Sequence, residues 1–522
     1  MQATPCTQAS LNRRSTLMLL GTWAGAGVSA TAVPSLSFGQ TPAIADSVLP
    51  ASWRALSRVA YGPTPSLIQS LASSASPKAW VLAQLDAAWT ASRQPPSIAP
   101  DLADFSTSLP NLVDGARRER EARKQLKANA VDDGGSPQLR RMDFSEPVDP
   151  LHFTRRIVQQ ASAWRLVAAS QPEVENPLLA RMTEFWFNHL NVYVGKGSVR
   201  PFVGHYWVNV ARTHALGKFE DLLLASARHP AMLGYLDQAQ SVAEGTRGAQ
   251  GKTRGLNENY ARELMELHTL GVDGGYSQTD VRELARVLTG WTVAPQDITG
   301  FRFAPRMHDT DRKVVLGLSF PNRGGASGEQ EGIDAIRMLA RHPATAQRVC
   351  LRLAQYFIAD NPPASVVAHM RSTFLSTQGD IRAVLRSLLE SAEFWSIENR
   401  LFKTPLDFAV SVLSAIRAGT GSSQSDEPSR KALVTTAGFL SAAGQPLFGW
   451  QTPDGYKFDA ATWLVPEALT RRADFALSLA RSAPEPDFLN PFLGAATRAA
   501  VAREPSGLRA GLMLASPEFM AK

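Results

Sequence analysis

The chain has 522 residues, of which 44% are hydrophobic and 19% are charged, with 37 Gly, 34 Pro and 2 Cys. This composition excludes a disordered, a collagen-like and a disulfide-stapled protein. The formal net charge of +7 is spread too thinly over this length for a nucleic-acid-binding protein, so we expect no nucleic-acid partner.

Residues 1–32 are typical of a twin-arginine signal peptide. Arg13 and Arg14 precede a weakly apolar stretch, and the small residues Ala30-Thr31-Ala32 offer a cleavage site. The alternative, an uncleaved anchor, is disfavoured because glycines, serine and threonines interrupt a run that barely reaches the length of a membrane span. We therefore expect export to the periplasm by the twin-arginine pathway and no permanent membrane span after cleavage.

Cleavage changes both the charge and the cysteine count. It removes two arginines and no acidic residue, which lowers the formal net charge from +7 to +5, and it removes Cys6. Cys350 then stands alone in an apolar, helical stretch, so no internal disulfide can form.

Helical periodicity dominates from about Trp53 onward, as in Phe153–Ser170 and Pro177–Asn188. The best candidate for a short strand is Lys313–Ser319. We expect a mainly α protein, a large multi-helix globular domain with at most a few short strands. The expected organisation is a signal peptide (1–32), a linker (33–48), a main helical domain (49–420), a flexible linker (421–430) and a C-terminal helical segment packing on the main domain (431–522).

The segment Gly245–Thr253 ends in Gly-Lys-Thr and resembles a phosphate-binding loop. The required glycine five residues before Gly251 is Thr246, and no predicted strand precedes the segment. We therefore expect a surface loop and no nucleotide.

Polar residues are concentrated in the segment Asn257–Gly271, which is predicted to be helical from Asn259 to Leu270. In a regular helix Asn259, Glu263 and Glu266 would share one face, whereas His268 would lie nearly opposite Glu266. Arg262 could instead form an ordinary ion-pair ladder with Glu258 and Glu266. A catalytic and a structural interpretation of this helix both remain open.

Two further polar clusters carry candidate residues. Asn188 and His189 end an aromatic-rich helix, where a desolvated polar pair needs partners. His308, Asp309 and Lys313 lie in a polar loop that could orient a substrate or ligate a metal. The candidate catalytic residues are thus His189, Glu263, His268, His308, Asp309 and Lys313. If they converge, His189, Glu263, Glu266 and His308 form a His/carboxylate set suited to a divalent metal such as Zn, Mn or Fe.

These clusters closely resemble a bacterial family catalogued as domain of unknown function 1800. Matching stretches include Glu184–His189, His229–Asp237, Asn257–Tyr276, Ala285–Trp291 and Pro453–Tyr456. Asp237 and Trp291 lie in two of them, and they complete the set of candidate substrate-binding residues with Asn188, Asn257, Asn259 and Arg262. The family pattern often has a polar residue or His where this chain has Phe187.

The resemblance implies a large, mainly helical, exported bacterial protein, often encoded beside a co-exported protein of the alkaline phosphatase and sulfatase type. It implies no reaction. The polar clusters favour a periplasmic enzyme that acts on an envelope or secreted substrate, with a divalent metal as its candidate cofactor. The alternative is a non-catalytic scaffold or maturation partner of that phosphatase/sulfatase-like protein.

Overall fold

The computed structural model describes residues 50–133, 150–246, 255–294, 296–321, 325–420, 427–481 and 483–522. The predicted signal peptide (1–32), the predicted linker (33–48) and most of the predicted linker 421–430 lie outside the described residues. So do residues 247–253 of the phosphate-loop-like segment.

The described chain is mainly α, as predicted, because apolar residues recur at three- and four-residue spacings along most of it. Its α-helices are α1 Ala51–Arg58, α2 Pro65–Ala72, α3 Pro77–Ser92, α4 Leu109–Asp133, α5 Phe153–Ser170, α6 Pro177–His189, α7 Val203–Tyr206, α8 Phe219–Arg228, α9 Pro230–Tyr235, α10 Asn259–Glu263, α11 Gln278–Val287, α12 Gly328–Arg341, α13 Pro343–Phe357, α14 Ala364–Ser376, α15 Ile381–Glu390, α16 Ala392–Trp395, α17 Pro405–Thr420, α18 Glu427–Ala442, α19 Ala460–Trp463, α20 Pro466–Ala480, α21 Ala495–Ala502, α22 Ser506–Leu514 and α23 Pro517–Met520. Two π-helical segments, Trp207–Arg212 and Leu264–His268, continue α7 and α10.

Two antiparallel hairpins form the sheet structure of the described residues. Strands β1 (Trp291–Val293) and β2 (Phe301–Phe303) pair with each other, and β3 (Lys313–Val315) pairs with β4 (Leu318–Phe320). The predicted strand segment Lys313–Ser319 is therefore confirmed, but it folds back on itself. Leu316 and Gly317 have φ angles of 50° and 77°, the left-handed pair that a tight two-residue hairpin turn requires.

By its internal contacts the chain divides into two units. The first comprises residues up to Pro77, Trp395–Gly444 and Phe458–Lys522, and the second comprises Lys78–Phe394 and Gln445–Lys457. The sequence analysis placed a linker at 421–430 between two consecutive domains, and this division stays a prediction.

Aromatic side chains form the core of the first unit. Phe408 on α17 packs against Phe439, Phe475 and Phe519, with ring centroids 6.1–6.3 Å apart. Phe439 and Phe475 stack at 4.2 Å. Each ring removes a large apolar area from water, which stabilises this unit without a disulfide.

Helix α6 runs through the core of the second unit, and every one of its residues is buried. Its carboxylate residue, Glu184, is paired within the core by Arg165, which donates two hydrogen bonds of 2.6 and 2.5 Å. A helix that is buried all round needs such pairing, since an isolated buried charge is very costly. The buried α6 places Asn188 and His189 at its C-terminal end.

Three further expectations concern individual residues. Cys350 is buried and unbridged, and burial raises the pKa of its thiol to about 12. His229 and His342 precede Pro-started helices, and each accepts a backbone N–H bond through Nδ1. No helix within the described ranges combines the length and apolarity that crossing a bilayer requires.

Candidate functional site

Five charged side chains of the second unit lie close enough to shift one another's pKa values, and we call them the carboxylate cluster: Glu263, Glu266, Asp454, Arg348 and Arg352. Two of its members come from the segment that starts with α10. This segment is α-helical only to Glu263 and continues as a π-helix over Leu264–His268. The expectation of a regular helix to Leu270 is therefore wrong after Glu263.

The π-helix has an identifiable local cause. The Thr269 hydroxyl donates a 2.6 Å hydrogen bond to the carbonyl oxygen of Leu264, and Gly271 N–H donates to the carbonyl oxygen of Met265. In a regular α-helix these two carbonyl oxygens would instead accept hydrogen bonds from the backbone N–H groups four residues later. The angular relation between Glu266 and His268 derived for a regular helix no longer applies, and π-helical turns are frequent at functional sites.

Asp454 reaches the cluster from the loop Trp450–Tyr456, which is tethered to the C-terminal end of α6. Asn188 donates a 2.9 Å hydrogen bond to the carbonyl oxygen of Tyr456 and accepts a 2.7 Å bond from its N–H. Asn191 donates to the carbonyl oxygens of Trp450 and Thr452. Asn188, predicted to bind substrate, thus holds this loop in place through its side chain.

Gly455 allows the close approach of the loop to α6. Its φ is 73°, and a Cβ atom built there would lie 2.0 Å from the backbone oxygen of Asn188. Any larger residue would clash with this backbone oxygen and adopt a disfavoured conformation. The tether and the glycine together fix the position of Asp454.

The local contacts of Asp454 favour its ionised form. Burial raises the pKa of Asp454. Hydrogen bonds from the Thr452 hydroxyl at 2.6 Å and from Trp450 Nε1 at 2.9 Å, together with Lys457, lower it by more than burial raises it. The net effect holds the pKa of Asp454 below its ordinary value. Asp454 is therefore a carboxylate throughout the neutral range.

Glu263 is shifted in the opposite direction. Burial raises its pKa most, and the negative charges of Glu266 and Asp454 raise it further, whereas Arg262 lowers it. The half-buried Glu263 side chain thus keeps its proton at a pH at which an ordinary glutamate has lost it. Two neighbouring carboxyl groups whose pKa values are pushed apart are the usual arrangement of a general acid and its ionised partner.

Arg348 and Arg352 on α13 bring positive charge to the same place. Arg348 donates a 3.0 Å hydrogen bond from Nε to the carbonyl oxygen of Leu267, in the π-helix. Burial, followed by the charge of Arg348, lowers the pKa of Arg352 to about 10, and Asp454 opposes this shift. Both guanidinium groups remain cationic at neutral pH and can stabilise negative charge on a substrate.

Tyr276 provides a hydroxyl at this cluster. Burial raises its pKa most, and its hydrogen bond to Glu266 and the charge of Glu266 add to the shift, to about 12. The Tyr276 hydroxyl therefore stays protonated and donates a hydrogen bond to the carboxylate of Glu266.

His189 and His268 are neighbouring neutral imidazoles, and both are close enough to Arg348 and Arg352 to feel their charges. Nε2 of His189 lies 3.1 Å from the carbonyl oxygen of His268, so this nitrogen carries the proton. Burial, followed by the charges of Arg352 and Arg348, lowers the pKa of His189; the same causes lower that of His268 to about 3. Within the described chain, Nδ1 of His189 and Nε2 of His268 have no hydrogen-bond partner.

His308 and Lys313 belong to a separate buried network with Glu331. Lys313 Nζ donates a 2.6 Å bond to Glu331 Oε2 and lies 3.4 Å from His308 Nε2. His308 Nδ1 lies 2.8 Å from the carbonyl oxygen of Thr289, so Nδ1 carries the proton of the neutral ring. Its pKa is lowered, by burial most of all. This network satisfies its own members and serves packing.

Asp309 lies beside this network but pairs with Arg286. The guanidinium donates bonds of 2.8 and 3.1 Å to the two carboxylate oxygens. Burial raises the pKa of Asp309, and Arg286 together with the Asp311 N–H outweighs this effect, so the net shift is downward. The carboxylate is fully engaged by this bidentate pair.

The structure assigns no metal to the predicted ligand set. In the ranges that the structure describes, no group of three or more His, Cys, Asp or Glu side chains is placed to hold a metal ion. Glu263 and Glu266 lie in the carboxylate cluster, whereas His308 contacts Lys313 and Glu331 instead. The divalent metal stays a prediction.

Asp237, Asn257 and Asn259, three of the candidate substrate-binding residues, are neighbours in the structure. Asp237 adopts a φ of 59°, and Nδ2 of Asn257 donates a 3.2 Å bond to its carbonyl oxygen. Nδ2 of Asn259 donates a 3.3 Å bond to the carbonyl oxygen of Leu236. The two asparagines thus hold a left-handed aspartate, whose carboxylate forms a 2.7 Å ion pair with Lys196.

The two remaining predicted residues have structural contacts. Arg262 forms the expected ladder, with Glu258 at 3.4 Å and Glu266 at 3.5 Å. Trp291 is fully buried and packs edge-on against Phe301 at 5.1 Å. These contacts account for the Arg262 guanidinium and for the Trp291 ring, whereas Nε1 of Trp291 has no hydrogen-bond partner among the described residues.

Sequence reasoning missed the roles of Asp454, Arg348 and Arg352. The stretch Pro453–Tyr456 is part of the family resemblance, and an Asp-Gly pair of this kind is a signal that could have pointed to a turn at Asp454. The two arginines, four residues apart on one helix, gave no signal beyond an ordinary charged face.

Residues 54–521 match the family model described as protein of unknown function (DUF1800). A search of curated proteins and a search of solved structures each found no match to this chain. The matched range includes the carboxylate cluster, both hairpins and all but the terminal described residues of the two units. The chain therefore belongs to the DUF1800 family.

Proposed function

We propose that this protein is an exported enzyme that hydrolyses an envelope or secreted substrate at the carboxylate cluster. The single observation that carries the proposal is the placement of Asp454, fixed by the Asn188 tether and Gly455, in one group with Glu263 and the guanidinium groups of α13. The opposite pKa shifts of the two carboxyl groups, upward for Glu263 and downward for Asp454, agree with it. Such pairs supply a proton donor and a proton acceptor in one site.

The roles follow from these protonation states. Glu263 donates its proton to the leaving oxygen or nitrogen of the substrate. Asp454 accepts a proton from the attacking water, and proton exchange with solvent restores both groups. Arg348 and Arg352 stabilise the negative charge that develops on the substrate, which is the contribution that preorganised cations make in a partly dehydrated site.

Export is part of the proposal and is supported by the pattern Arg13-Arg14 in the first 32 residues. A periplasmic location would place the cluster next to envelope polymers and their fragments. The enzyme would fold before export, which suits a twin-arginine substrate.

Product profiling tests the activity on a mixture of natural substrates. The purified chain is incubated with envelope fractions of the native host, and released soluble products are compared by mass spectrometry. We expect products from the native chain and from Glu244→Gln, whose exposed carboxylate pairs only with Arg282 among the described residues. Glu263→Gln and Asp454→Asn should lower product release at least ~100-fold. Equal product release by Glu263→Gln, or none by the native chain, would contradict the proposal.

The scaffold alternative is favoured by one observation: several candidate residues lie in closed, buried networks such as Lys313–Glu331. This alternative predicts a stable complex with the co-exported phosphatase/sulfatase-like protein. Light scattering of material purified from the native host separates the two functions, since the enzyme proposal requires no such complex.

A further inference from the structure

We propose that a cavity in the second unit binds a single-chain anionic amphiphile, an alkyl chain with a carboxylate or phosphate head. The cavity lies between α4, the segment 196–202 and α9. Its volume of about 600 Å³ falls in the range of roughly 300–1,000 Å³ that small-molecule sites occupy. It shares no lining residue with the carboxylate cluster, so the inference is independent of the proposed function.

The wall of the cavity is mainly apolar. Val113 of α4, Phe202, and Pro230 and Leu233 of α9 contribute to it. A polar or highly charged ligand would have no apolar part to pack against this surface. An alkyl chain matches it, because transfer of apolar surface out of water is favourable.

Positively charged side chains outnumber carboxylates around the cavity. Its two carboxylates are already paired, Glu119 with Arg123 at 2.6 Å and Asp237 with Lys196 at 2.7 Å. Two further lining arginines, Arg120 and Arg200, have no carboxylate partner among the residues that the structure describes. Guanidinium groups bind carboxylate and phosphate oxygens through paired hydrogen bonds, which favours an anionic head group.

The backbone at the cavity is held in an unfavourable conformation. Asp237 is a non-glycine residue with a φ of 59°, and Asn257 and Asn259 bond to the carbonyl oxygens of Asp237 and its neighbour Leu236. Left-handed aspartates of this kind cost free energy and concentrate at ligand sites. The strain and the two arginines that lack a carboxylate partner among the described residues are independent observations that indicate the same site.

Calorimetric titration of the purified chain below micellar concentrations tests the proposal. The probes are dodecanoate and dodecyl phosphate, with dodecyltrimethylammonium as the cation of the same chain length and acetate as a head group without the chain. We expect saturable binding of at least one anionic amphiphile with one ligand per chain, and at least tenfold weaker binding of the cation and of acetate. Equal affinity for the cation, or no binding of either anion, would overturn the proposal.

Variants separate the head-group site from the alkyl site. Arg120→Gln/Arg200→Gln should weaken anion binding at least tenfold, and Val113→Trp should abolish it by filling the cavity. The matched control is Arg117→Gln/Arg118→Gln on the same helix, where both arginines pair with Asp114 outside the cavity. Circular dichroism melts confirm folding of each variant. Unchanged affinity in both cavity variants, or a dimer that covers the cavity in light scattering, would contradict the inference.

Discussion

At the scale of the residue, environment decides which carboxyl group keeps its proton. Glu263 and Asp454 have similar ordinary pKa values, yet burial beside two carboxylates raises one and a set of donors lowers the other. Helical spacing predicted that Glu263 belongs to a polar cluster. It carried no information on Asp454, which arrives from a distant part of the chain.

Replacement of Glu263 by Gln should change stability in a pH-dependent way. The folded-state pKa of Glu263 is raised, so folding favours its protonated form. Below the ordinary glutamate pKa the variant and the native chain should be equally stable. As pH rises through the folded pKa the native chain loses stability relative to Glu263→Gln, by about 1 kcal/mol or less because the group is half-exposed. Urea unfolding at a series of pH values measures this, and a native chain favoured at neutral pH would refute it.

The buried pair Lys313–Glu331 permits a double-mutant test. Glu331→Leu leaves the ammonium group of Lys313, which is fully buried, without its carboxylate, at a cost of about 3–5 kcal/mol. The double variant Lys313→Met/Glu331→Leu removes both charges and should be much less destabilised. Denaturant titration of the three proteins measures both effects, and additive losses in the double variant would disprove the pairing argument.

At the scale of the element, apolar periodicity predicted most helices and the strand segment 313–319, since these depend on local spacing. The π-helix Leu264–His268 was not predictable, because it depends on the Thr269 hydroxyl and on packing that spacing does not show. The loop Trp450–Tyr456 was likewise hidden, since its position depends on Asn188 and Asn191 in another element. The elements that departed from expectation are those that build the carboxylate cluster.

Gly455→Ala tests the position of the loop. The substitution places a Cβ atom against the backbone oxygen of Asn188 and forces a left-handed alanine, for an expected loss above about 2 kcal/mol. Gly438→Ala is the matched control, since its Cβ meets no atom within 4 Å and α18 should gain up to about 1 kcal/mol. Thermal melts compare the two, and equal behaviour would mean that the tether does not constrain the loop.

At the scale of the whole molecule, helical periodicity predicted the fold class but not the division of the chain. The first unit is assembled from three separate stretches, and Gln445–Lys457 belongs to the second unit although its flanking residues belong to the first. The spacing of apolar residues does not predict that one unit interrupts the other along the chain. This arrangement is why Asp454 reaches α10 and α13 despite its late place in the sequence.

Export is the whole-molecule property that a simple variant tests. Arg13→Lys/Arg14→Lys keeps both charges but removes the paired guanidinium groups that define the signal. We expect the variant to stay uncleaved in the cytoplasm while the native chain appears shortened in the periplasmic fraction. Cell fractionation and immunoblotting measure this, and normal cleavage and export of the variant would exclude the twin-arginine pathway.

The central claim is that Glu263 is a proton donor beside an ionised Asp454. The most direct measurement is a carboxyl-carbon NMR titration of selectively labelled protein, with Glu263→Gln and Asp454→Asn used to assign the two signals. The account predicts that Glu263 titrates above the ordinary glutamate pKa and Asp454 below the ordinary aspartate pKa, and that Asp454→Asn brings the pKa of Glu263 down. A Glu263 signal that titrates at or below its ordinary pKa, unmoved by Asp454→Asn, would contradict it.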